Sequence, residues 1–275
     1  MAFSVLQKLL STDLSRNIVR GGLDQVGGIV VEAGDAVGLN TPELLLSAYG
    51  FDVDTDYVDV VRFETPMCAQ VRIPADRVER PWPTYPFGFL RPQRDLIVPV
   101  WELSWTRFSV GAEVWRIHRD GSQECVLWYR GAALGWAGAH EWRPCSRLVG
   151  PRARWRGAEY VADVVGDEVT LTTFTDPGSV EWERRWFSAW CRVVPLSECE
   201  VFEMIFTASL SGVKVRVTEV GHGWASVQLV GSDPDAAKVI HASMIDQGVF
   251  QNPRVPVSDL TDTLVVANEL VQETK

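Results

Sequence analysis

The stretch "RVPVSDL", Arg254 to Leu260, repeats with small changes the earlier stretch "VVPLSEC", Val193 to Cys199. In both, a proline follows strand-like residues and a serine lies two positions beyond it. Proline has no backbone donor and keeps its predecessor extended, so it ends the pairing of a strand. A Ser or Asp just beyond it can bond nearby backbone N–H groups and begin a turn or a short helix. Looser copies of this exit phrase are "RIPADRV" (Arg72 to Val78) and "WRPCSRL" (Trp142 to Leu148).

A second phrase precedes three of the four exit phrases. Its copies are "VGAEVWRIHRDGSQECVLWYRG" (Val110 to Gly131), "RGAEYVADVVGDEVTLTTFTD" (Arg156 to Asp176) and "SGVKVRVTEVGHGWASVQLVGSD" (Ser211 to Asp233). Each copy alternates polar and apolar residues on both sides of a turn, which is typical of a β-hairpin. The later two run into "TDPGSVEWERRWF" and "SDPDAAKVIHASMI", where Asp-Pro predicts the start of a helix. In the last one, Ala236, Ala237, Ile240 and Met244 form a helical apolar stripe.

The repeated unit is therefore predicted to be strand, turn, strand, short helix, strand and proline exit. The fold class that follows is α+β, mainly β, with tandem degenerate repeats of β-hairpin, short helix and strand in small barrels or sheet-like units. The alternative is that a β-rich chain yields glycine-opened hairpins by chance. The predicted divisions are an N-terminal helical segment (1–40), a first partial repeat (41–80), a Pro/aromatic linker loop (81–107), a second repeat (108–150), a third repeat (151–200), and a fourth repeat with the C-terminal tail (201–275).

Two helices are predicted in the first 50 residues. "SVLQKLLSTDLSRNIV" has apolar residues at helical spacing from Val5 to Ile18. This helix either packs on the β units or binds a partner. "TPELLLSAYGF" predicts the helix of the first partial repeat, and "YVDVVRFET" its strand.

Composition indicates a folded chain with an uneven charge. The chain has 275 residues, 46% of them apolar, and a formal net charge of −10. This balance disfavours nucleic acid as a partner. Residues 1–80 carry −5, residues 81–156 carry +5 and residues 157–275 carry −10. The acidic half suits a basic protein partner, or is a solvated acidic surface.

Cysteine usage and hydropathy predict a cytoplasmic protein. The five cysteines are widely spaced and form no C-x-x-C pair, which fits reduced thiols. The N-terminal apolar run is short and interrupted by Lys8, unlike a signal peptide. No stretch reaches the roughly 18 apolar residues of a membrane helix.

Two aromatic segments supply candidate partner contacts. "RPWPTYPFGFLRPQRD" (Arg80 to Asp95) is too rich in proline for regular structure and either presents its aromatic residues to a partner or straps a core. "EWERRWFSAW" (Glu181 to Trp190) spaces three tryptophans four apart, predicting one helical face that packs in a core. The solvated side of this helix is predicted to hold Glu181, Glu183, Arg184 and Arg185. The candidate partner-binding residues are Tyr85, Phe87, Phe89, Glu181 and Glu183.

No pattern in the sequence marks an active site. The four histidines show no metal-ligand spacing, and no phosphate-binding loop or nucleophile elbow is present. We therefore predict no catalytic residues, no metal and no cofactor. A Cys–His dyad assembled in space stays open as an alternative, because such partners need not be close in sequence.

The stretch "CRVVPLSECEVFEMIFTASLSGVKVRVTEVGHGWASVQLVGSDPDAAKVI" and the later "DQGVFQNPRVPVSDLTD" resemble tandem modules of actinobacterial immunity proteins. Those proteins accompany polymorphic toxins, including the necrotizing-toxin type that hydrolyses NAD. The resemblance covers roughly residues 108–262. It implies a non-catalytic cytoplasmic inhibitor that binds its protein toxin in a 1:1 complex rather than as a homo-oligomer. Two alternatives remain: a structural or adaptor protein whose modules bind peptides or self-assemble, and an enzyme with a site built across units.

Overall fold

The computed structural model describes residues 5–72, 89–93, 96–185 and 188–270, so the predicted contacts Tyr85 and Phe87 lie outside the described residues. The fold is mainly β, as predicted, with antiparallel sheets and short helices. None of the helices within these ranges is long and apolar enough to cross a membrane.

The N-terminal part forms an eight-stranded antiparallel sheet and a separate two-stranded one. The first ten strands are β1 (Val5–Leu9), β2 (Gln25–Glu32), β3 (Tyr57–Glu64), β4 (Val71–Arg72), β5 (Phe89–Gln93), β6 (Leu96–Pro99), β7 (Trp101–Arg107), β8 (Glu113–His118), β9 (Gln123–Tyr129) and β10 (Trp136–Ala137). The order in the large sheet is β10-β9-β8-β3-β1-β2-β7-β4, and β5 pairs with β6. The large sheet therefore places β1 at its centre.

Both faces of this sheet are covered, which is why its central strands are buried on both sides. Helix α1 (Thr12–Val19) begins at its N-cap Ser11 and packs Leu14 and Ile18 against one face. Helix α2 (Pro42–Ala48) begins at its N-cap Thr41 and covers the other face together with β5 and β6. The predicted helix of "TPELLLSAYGF" and strand of "YVDVVRFET" are thus confirmed.

Two N-terminal predictions are wrong. The helical segment 1–40 contains strands β1 and β2, and its helix covers only Thr12–Val19. The apolar residues of β1 fit helical spacing, but pairing with β2 and β3 buries them on both faces of a sheet. The described part of the linker 81–107 holds β5, β6 and β7. Pro92 is tolerated in β5 because the β5–β6 register is irregular between Leu90 and Gln93.

The C-terminal part is a sheet of eleven strands with one short helix and two 3₁₀ turns. Its elements are β11 (Arg152–Trp155), β12 (Ala158–Val165), β13 (Glu168–Thr173), β14 (Glu183–Arg184), β15 (Trp190–Pro195), η1 (Leu196–Glu198), β16 (Glu200–Leu210), β17 (Val213–Val220), β18 (Trp224–Leu229), α3 (Pro234–Val239), β19 (Ser243–Asp246), β20 (Val249–Pro256), η2 (Val257–Asp259) and β21 (Leu260–Glu269). The main order is β14-β15-β13-β12-β11-β16-β17-β18-β20-β19, and β21 branches from β16.

The long strand β16 belongs to two successive five-stranded paths. In the first path, β11, β12, β13 and β15 pair in order, and β16 follows η1 and returns to β11. In the second, β16, β17, β18 and β20 pair in order, and β21 follows η2 and returns to β16. Val201 of β16 lies in the core of the first path, whereas Ala208 and Leu210 lie in the core of the second. One strand thus joins two cores.

The two exit phrases behave as predicted. Pro195 ends β15 and Pro256 ends β20, and the residues just beyond form η1 and η2. "WRPCSRL" differs, because no strand runs directly into it and it lies in an irregular segment after β10. "RIPADRV" extends beyond the described residues after Arg72.

Of the two helix starts predicted at Asp-Pro, one is confirmed and the other is wrong. Asp233 is the N-cap of α3, as predicted, but the helix ends before Met244, which lies in β19 and is exposed. Asp176 begins no helix: its carboxylate accepts a hydrogen bond from the Gly178 N–H, as Asp233 does from Asp235, but Gly178 has φ +64°, which a helix does not allow. The prediction of a helical face in "EWERRWFSAW" is also wrong, since residues 183–184 form β14 and pair with β15.

Gly28 fits closely between the two parts of the chain. It has φ +78° at the bulge of β2, and a Cβ there would collide with the Val249 side chain and lie 3.1 Å from the Gln247 carbonyl oxygen. We expect Gly28→Ala to lower the free energy of unfolding by about 2 kcal/mol or more, from backbone strain and overpacking. Denaturant unfolding measures this. The control Gly34→Ala, where a Cβ meets nothing within 4 Å, should change stability little; equal effects would contradict the close fit.

Candidate protein-binding surface

β16 and β21 form a two-stranded ribbon with an unusual surface among the described residues. We define the β16/β21 ribbon as residues 204–207 and 264–267, which pair as Met204 with Ala267 through Thr207 with Leu264. β17 pairs with residues 207–210 of β16 and β11 with residues 200–202. Because Phe202 pairs with both β11 and β21, and Thr207 with both β17 and β21, β21 lies on the opposite edge of β16 from β11 and β17. Among the described strands, β21 pairs with β16 alone.

Apolar side chains are exposed on both faces of this ribbon. Leu264, Val265 and Val266 are 55%, 51% and 43% exposed. Since consecutive residues of a strand point to opposite faces, these three cannot share one covered side. Opposite them on β16, Ile205 and Phe206 are only partly buried. The ribbon therefore presents a continuous apolar surface to solvent, unlike scattered single apolar residues.

The other ends of the two large sheets are much shorter. The eight-stranded sheet ends in β10 and β4, each two residues long. The main path of the C-terminal sheet ends in β14, with two residues, and β19, with four. Very short terminal strands are one way in which proteins limit unwanted edge pairing. β21 has ten residues, so its length does not limit pairing at its edge.

Charge along β21 itself has a single sign. Asp262 and Glu269 are exposed near the two ends of β21, and the exposed Asp259 of η2 directly precedes it. From residue 255 to residue 270 the chain carries no Lys or Arg. The surface is therefore an apolar centre between acidic ends.

A buried carboxylate on β16, directly before the ribbon, holds this strand in place. Glu203, which is 1% exposed, precedes the ribbon on β16. Its carboxylate accepts hydrogen bonds from Arg216 Nη2 at 2.8 Å, from Thr106 Oγ1 at 3.2 Å and from the Gly150 N–H at 3.1 Å. Arg216 in turn donates to the carbonyl of Trp105 on β7. Because Thr106 and Trp105 belong to the N-terminal sheet, this network holds β16 in a fixed position between the two parts.

Comparison with known proteins identifies no relative of this chain. No family model, curated protein or solved structure matches the chain. The resemblance to immunity proteins therefore remains a prediction, and function has to be argued from the surface itself.

Two further buried ion pairs join the N-terminal and C-terminal parts. Lys8 Nζ of β1 lies 2.6 Å from Asp246 Oδ2 of β19, and both side chains are fully buried. Burial raises the pKa of the Asp246 carboxyl, and Lys8 opposes that rise. Arg107 of β7 lies 3.3 Å from Asp163 of β12 and is also buried. The scaffold that carries the ribbon is therefore held by paired charges whose partners come from different sheets.

A shallow cleft of about 410 Å³ also lies between the two parts. Gln25, Arg143, Cys145, Arg147 and Glu219 are among its lining residues. Burial raises the pKa of the Cys145 thiol to about 12, so this thiol is protonated at neutral pH and is a poor nucleophile. Within the described ranges, no group of three or more His, Cys, Asp or Glu could hold a metal ion.

The predicted partner-binding residues that are described lie in separate places. Phe89 begins β5 and is 36% exposed. Glu181 and Glu183 lie at the β14 end of the C-terminal sheet, where Glu181 pairs with Arg192 and Glu183 with Arg185. The bond from Arg192 holds the pKa of the Glu181 carboxyl below its ordinary value. The structure brings the two glutamates to one edge, but places Phe89 in a different sheet.

The ribbon itself was not predicted as a site. The signal was present in "LTDTLVVANEL", which has four consecutive apolar residues and no basic residue. A strand of this composition is ordinarily central, with both faces covered. Only the strand pairing in the structure shows that β21 is an edge strand.

Proposed function

We propose that this chain is a non-catalytic, cytoplasmic immunity-type protein that neutralises a cognate protein toxin by stoichiometric 1:1 binding. The observation that supports the proposal is the exposed apolar β16/β21 ribbon on a scaffold fixed by buried ion pairs. A large exposed apolar patch with a charged rim is typical of a protein-binding surface. The resemblance to immunity factors of NAD-hydrolysing toxins suggests the class of toxin.

The acidic character of the C-terminal part supports the same proposal. Residues 157–275 carry −10, and β21 with the preceding η2 contributes three exposed carboxylates to it. A surface of one sign accelerates encounter with an oppositely charged partner and selects against partners of like charge. A basic toxin surface would meet both conditions. The fixed position of Glu203 limits the entropy lost when the ribbon binds.

We further propose that the two five-stranded paths are copies of one module. The same strand order, the same proline exit into a 3₁₀ turn, and an opening glycine with positive φ at Gly157 and Gly212 support this. A chain built by copying a small β module gains new surface with each copy. The second copy differs from the first in that its last strand, β21, has a free edge.

Co-expression with neighbouring toxin genes tests the proposed function. We expect one encoded toxin to arrest growth alone, and this chain to restore growth and to elute with the toxin as a 1:1 complex. Leu264→Lys should abolish protection, because a charge in the apolar centre must be desolvated beside a basic partner. The control Val180→Lys changes a fully exposed valine outside the ribbon and should protect normally.

The outcomes separate the two classes of function. If no neighbouring toxin is bound or neutralised, the immunity proposal is wrong. A stable homo-oligomer found by light scattering, without any toxin complex, would favour the adaptor alternative. That alternative has one supporting observation, since a long free strand edge can also pair with a second copy of the chain.

A further inference from the structure

The free edge of β21 has identifiable backbone groups. The N–H of Leu270 bonds the carbonyl of Val201, so the backbone of Leu270 faces β16. In an antiparallel pair, successive residues alternate between facing the partner strand and facing away. The pairing is regular from residue 264 to residue 269, so Leu264, Val266 and Asn268 face β16. Val265, Ala267 and Glu269 therefore direct their N–H and C=O groups to the free edge.

Within the part of the chain that the structure describes, nothing in the centre of this edge prevents the pairing of another strand. Residues 263–267 read "TLVVA" and contain no proline and no charge. Proline, charged residues and bulges are the usual protections of a strand edge. The bulge of this pair lies at Thr207 and Ser209, and positive φ occurs at Asp262, so both are at one end. The centre is straight enough to pair over several residues.

We propose that β21 accepts an extended segment of the partner as an added β-strand, with apolar residues in the middle of that segment and Lys or Arg at its ends. This inference rests on the proposed function, because it names the part of the partner that the ribbon binds. The outward groups of Val265, Ala267 and Glu269 form the main-chain hydrogen bonds. The two faces of the ribbon receive alternate side chains of the added strand, which is the usual basis of specificity in this mode.

The acidic ends of β21 select a basic segment rather than a second copy of the chain. Two β21 strands paired edge to edge would gather the three carboxylates of each copy, Asp259, Asp262 and Glu269, around one apolar centre. No basic residue between 255 and 270 offsets them. Like charges on adjacent strands destabilise the pair, whereas opposite charges stabilise it. A strand from another protein, with basic residues at its ends, can both pair with the free edge and attract the carboxylates.

Synthetic peptides test the inference independently of any toxin. The probe is a peptide with alternating Val and Thr in the middle and two Lys at each end, and the control is the same peptide with Glu at the ends. We expect the Lys-ended peptide to bind in fluorescence anisotropy at low salt, and the Glu-ended peptide to bind at least tenfold more weakly. Equal binding of the two, or no binding of the Lys-ended peptide at millimolar concentration, would overturn the inference. Neither result would decide whether a toxin binds elsewhere.

A proline at an outward position separates backbone pairing from side-chain packing. Ala267→Pro removes one outward N–H, while Ala267→Val keeps it, and neither change removes a bond to β16. We expect Ala267→Pro to weaken peptide binding about tenfold, the effect of a lost hydrogen bond, and Ala267→Val to bind as the native chain does. Thermal unfolding of both variants confirms that the ribbon is intact. If Ala267→Pro is folded and binds normally, the added strand does not form.

Amide hydrogen exchange identifies the occupant. With bound peptide, we expect the amides of Val265 and Ala267 to become protected, while those of Leu264 and Val266 are already slow in the free protein. Protection of Val265 and Ala267 without peptide, together with a dimer mass in light scattering, would assign the edge to a second copy and overturn the choice of partner. Unchanged exchange at both amides would overturn the binding mode itself.

Discussion

Replacing Lys8 with methionine is expected to lower the free energy of unfolding by about 3–5 kcal/mol, because it leaves a buried carboxylate without its counter-charge. Lys8 Nζ lies 2.6 Å from Asp246 Oδ2 and donates to the Ile29 carbonyl at 3.0 Å, with both charged side chains fully buried. Methionine fills similar space but supplies no donor. Denaturant unfolding at pH 7 measures the loss.

The exposed pair between Lys238 and Asp235 provides the matched control. It has a similar separation of 2.8 Å, but its side chains are 79% and 84% exposed. Lys238→Met should therefore change stability little, as is usual for surface pairs. The double variant Lys8→Met with Asp246→Leu should recover most of the loss, because no charge is then buried alone. A Lys8→Met protein as stable as the native chain would show that the pair does not hold the two parts together.

The loss in Lys8→Met should depend on pH with a definite sign. Burial raises the pKa of Asp246, and the opposing effect of Lys8 is absent in the variant. The folded variant therefore binds the Asp246 proton more tightly than the unfolded chain, whose Asp pKa is about 3.9. Such a group stabilises the fold at low pH and loses that effect as pH rises through the folded-state pKa. The stability difference from the native chain should thus be smaller at pH 5 than at pH 8; the opposite trend would contradict it.

Local chemistry made the ends of β15 and β20 and the start of α3 predictable from sequence. Pro195 and Pro256 end their strands for reasons that act within a few residues: a missing donor and a restricted predecessor. Asp233 caps α3 for an equally local reason, since its carboxylate bonds the N–H of Asp235. Such features need no knowledge of what lies across the fold.

Tertiary pairing accounts for what the sequence did not predict. The residues of β1 satisfy helical spacing, yet they form the central strand of a sheet because β2 and β3 are available on both sides. The candidate surface was missed for a related reason. "TLVVA" of β21 predicts a buried strand, and only the branch of β21 from β16 leaves it at an edge. Phe89 was predicted from a proline-rich loop, and Glu181 and Glu183 from one side of a helix. Strand pairing replaces both local structures, since Phe89 pairs in β5–β6 and Glu183 in β14–β15.

Arg107 is the other residue whose loss should greatly weaken the protein. It is 1% exposed, and its Nη2 donates to the Ala162 carbonyl at 2.5 Å and to the Pro151 carbonyl at 3.2 Å, beside Asp163 Oδ1 at 3.3 Å. One planar guanidinium thus joins β7 of the N-terminal sheet to the first five-stranded path. Lysine has no planar fork and cannot reproduce several bonds at fixed angles.

We expect Arg107→Lys to lower the free energy of unfolding by about 3 kcal/mol and Arg107→Met by about 3–5 kcal/mol, since methionine also leaves Asp163 without a counter-charge. The control is Arg16→Lys on α1, where the arginine is 55% exposed and pairs with Asp13 at 2.7 Å. That change should cost less than about 0.5 kcal/mol. Because Arg107 lies outside the β16/β21 ribbon, variants that remain folded should still bind the Lys-ended peptide. If Arg107→Lys is as stable as Arg16→Lys, the guanidinium geometry is not what joins the two parts.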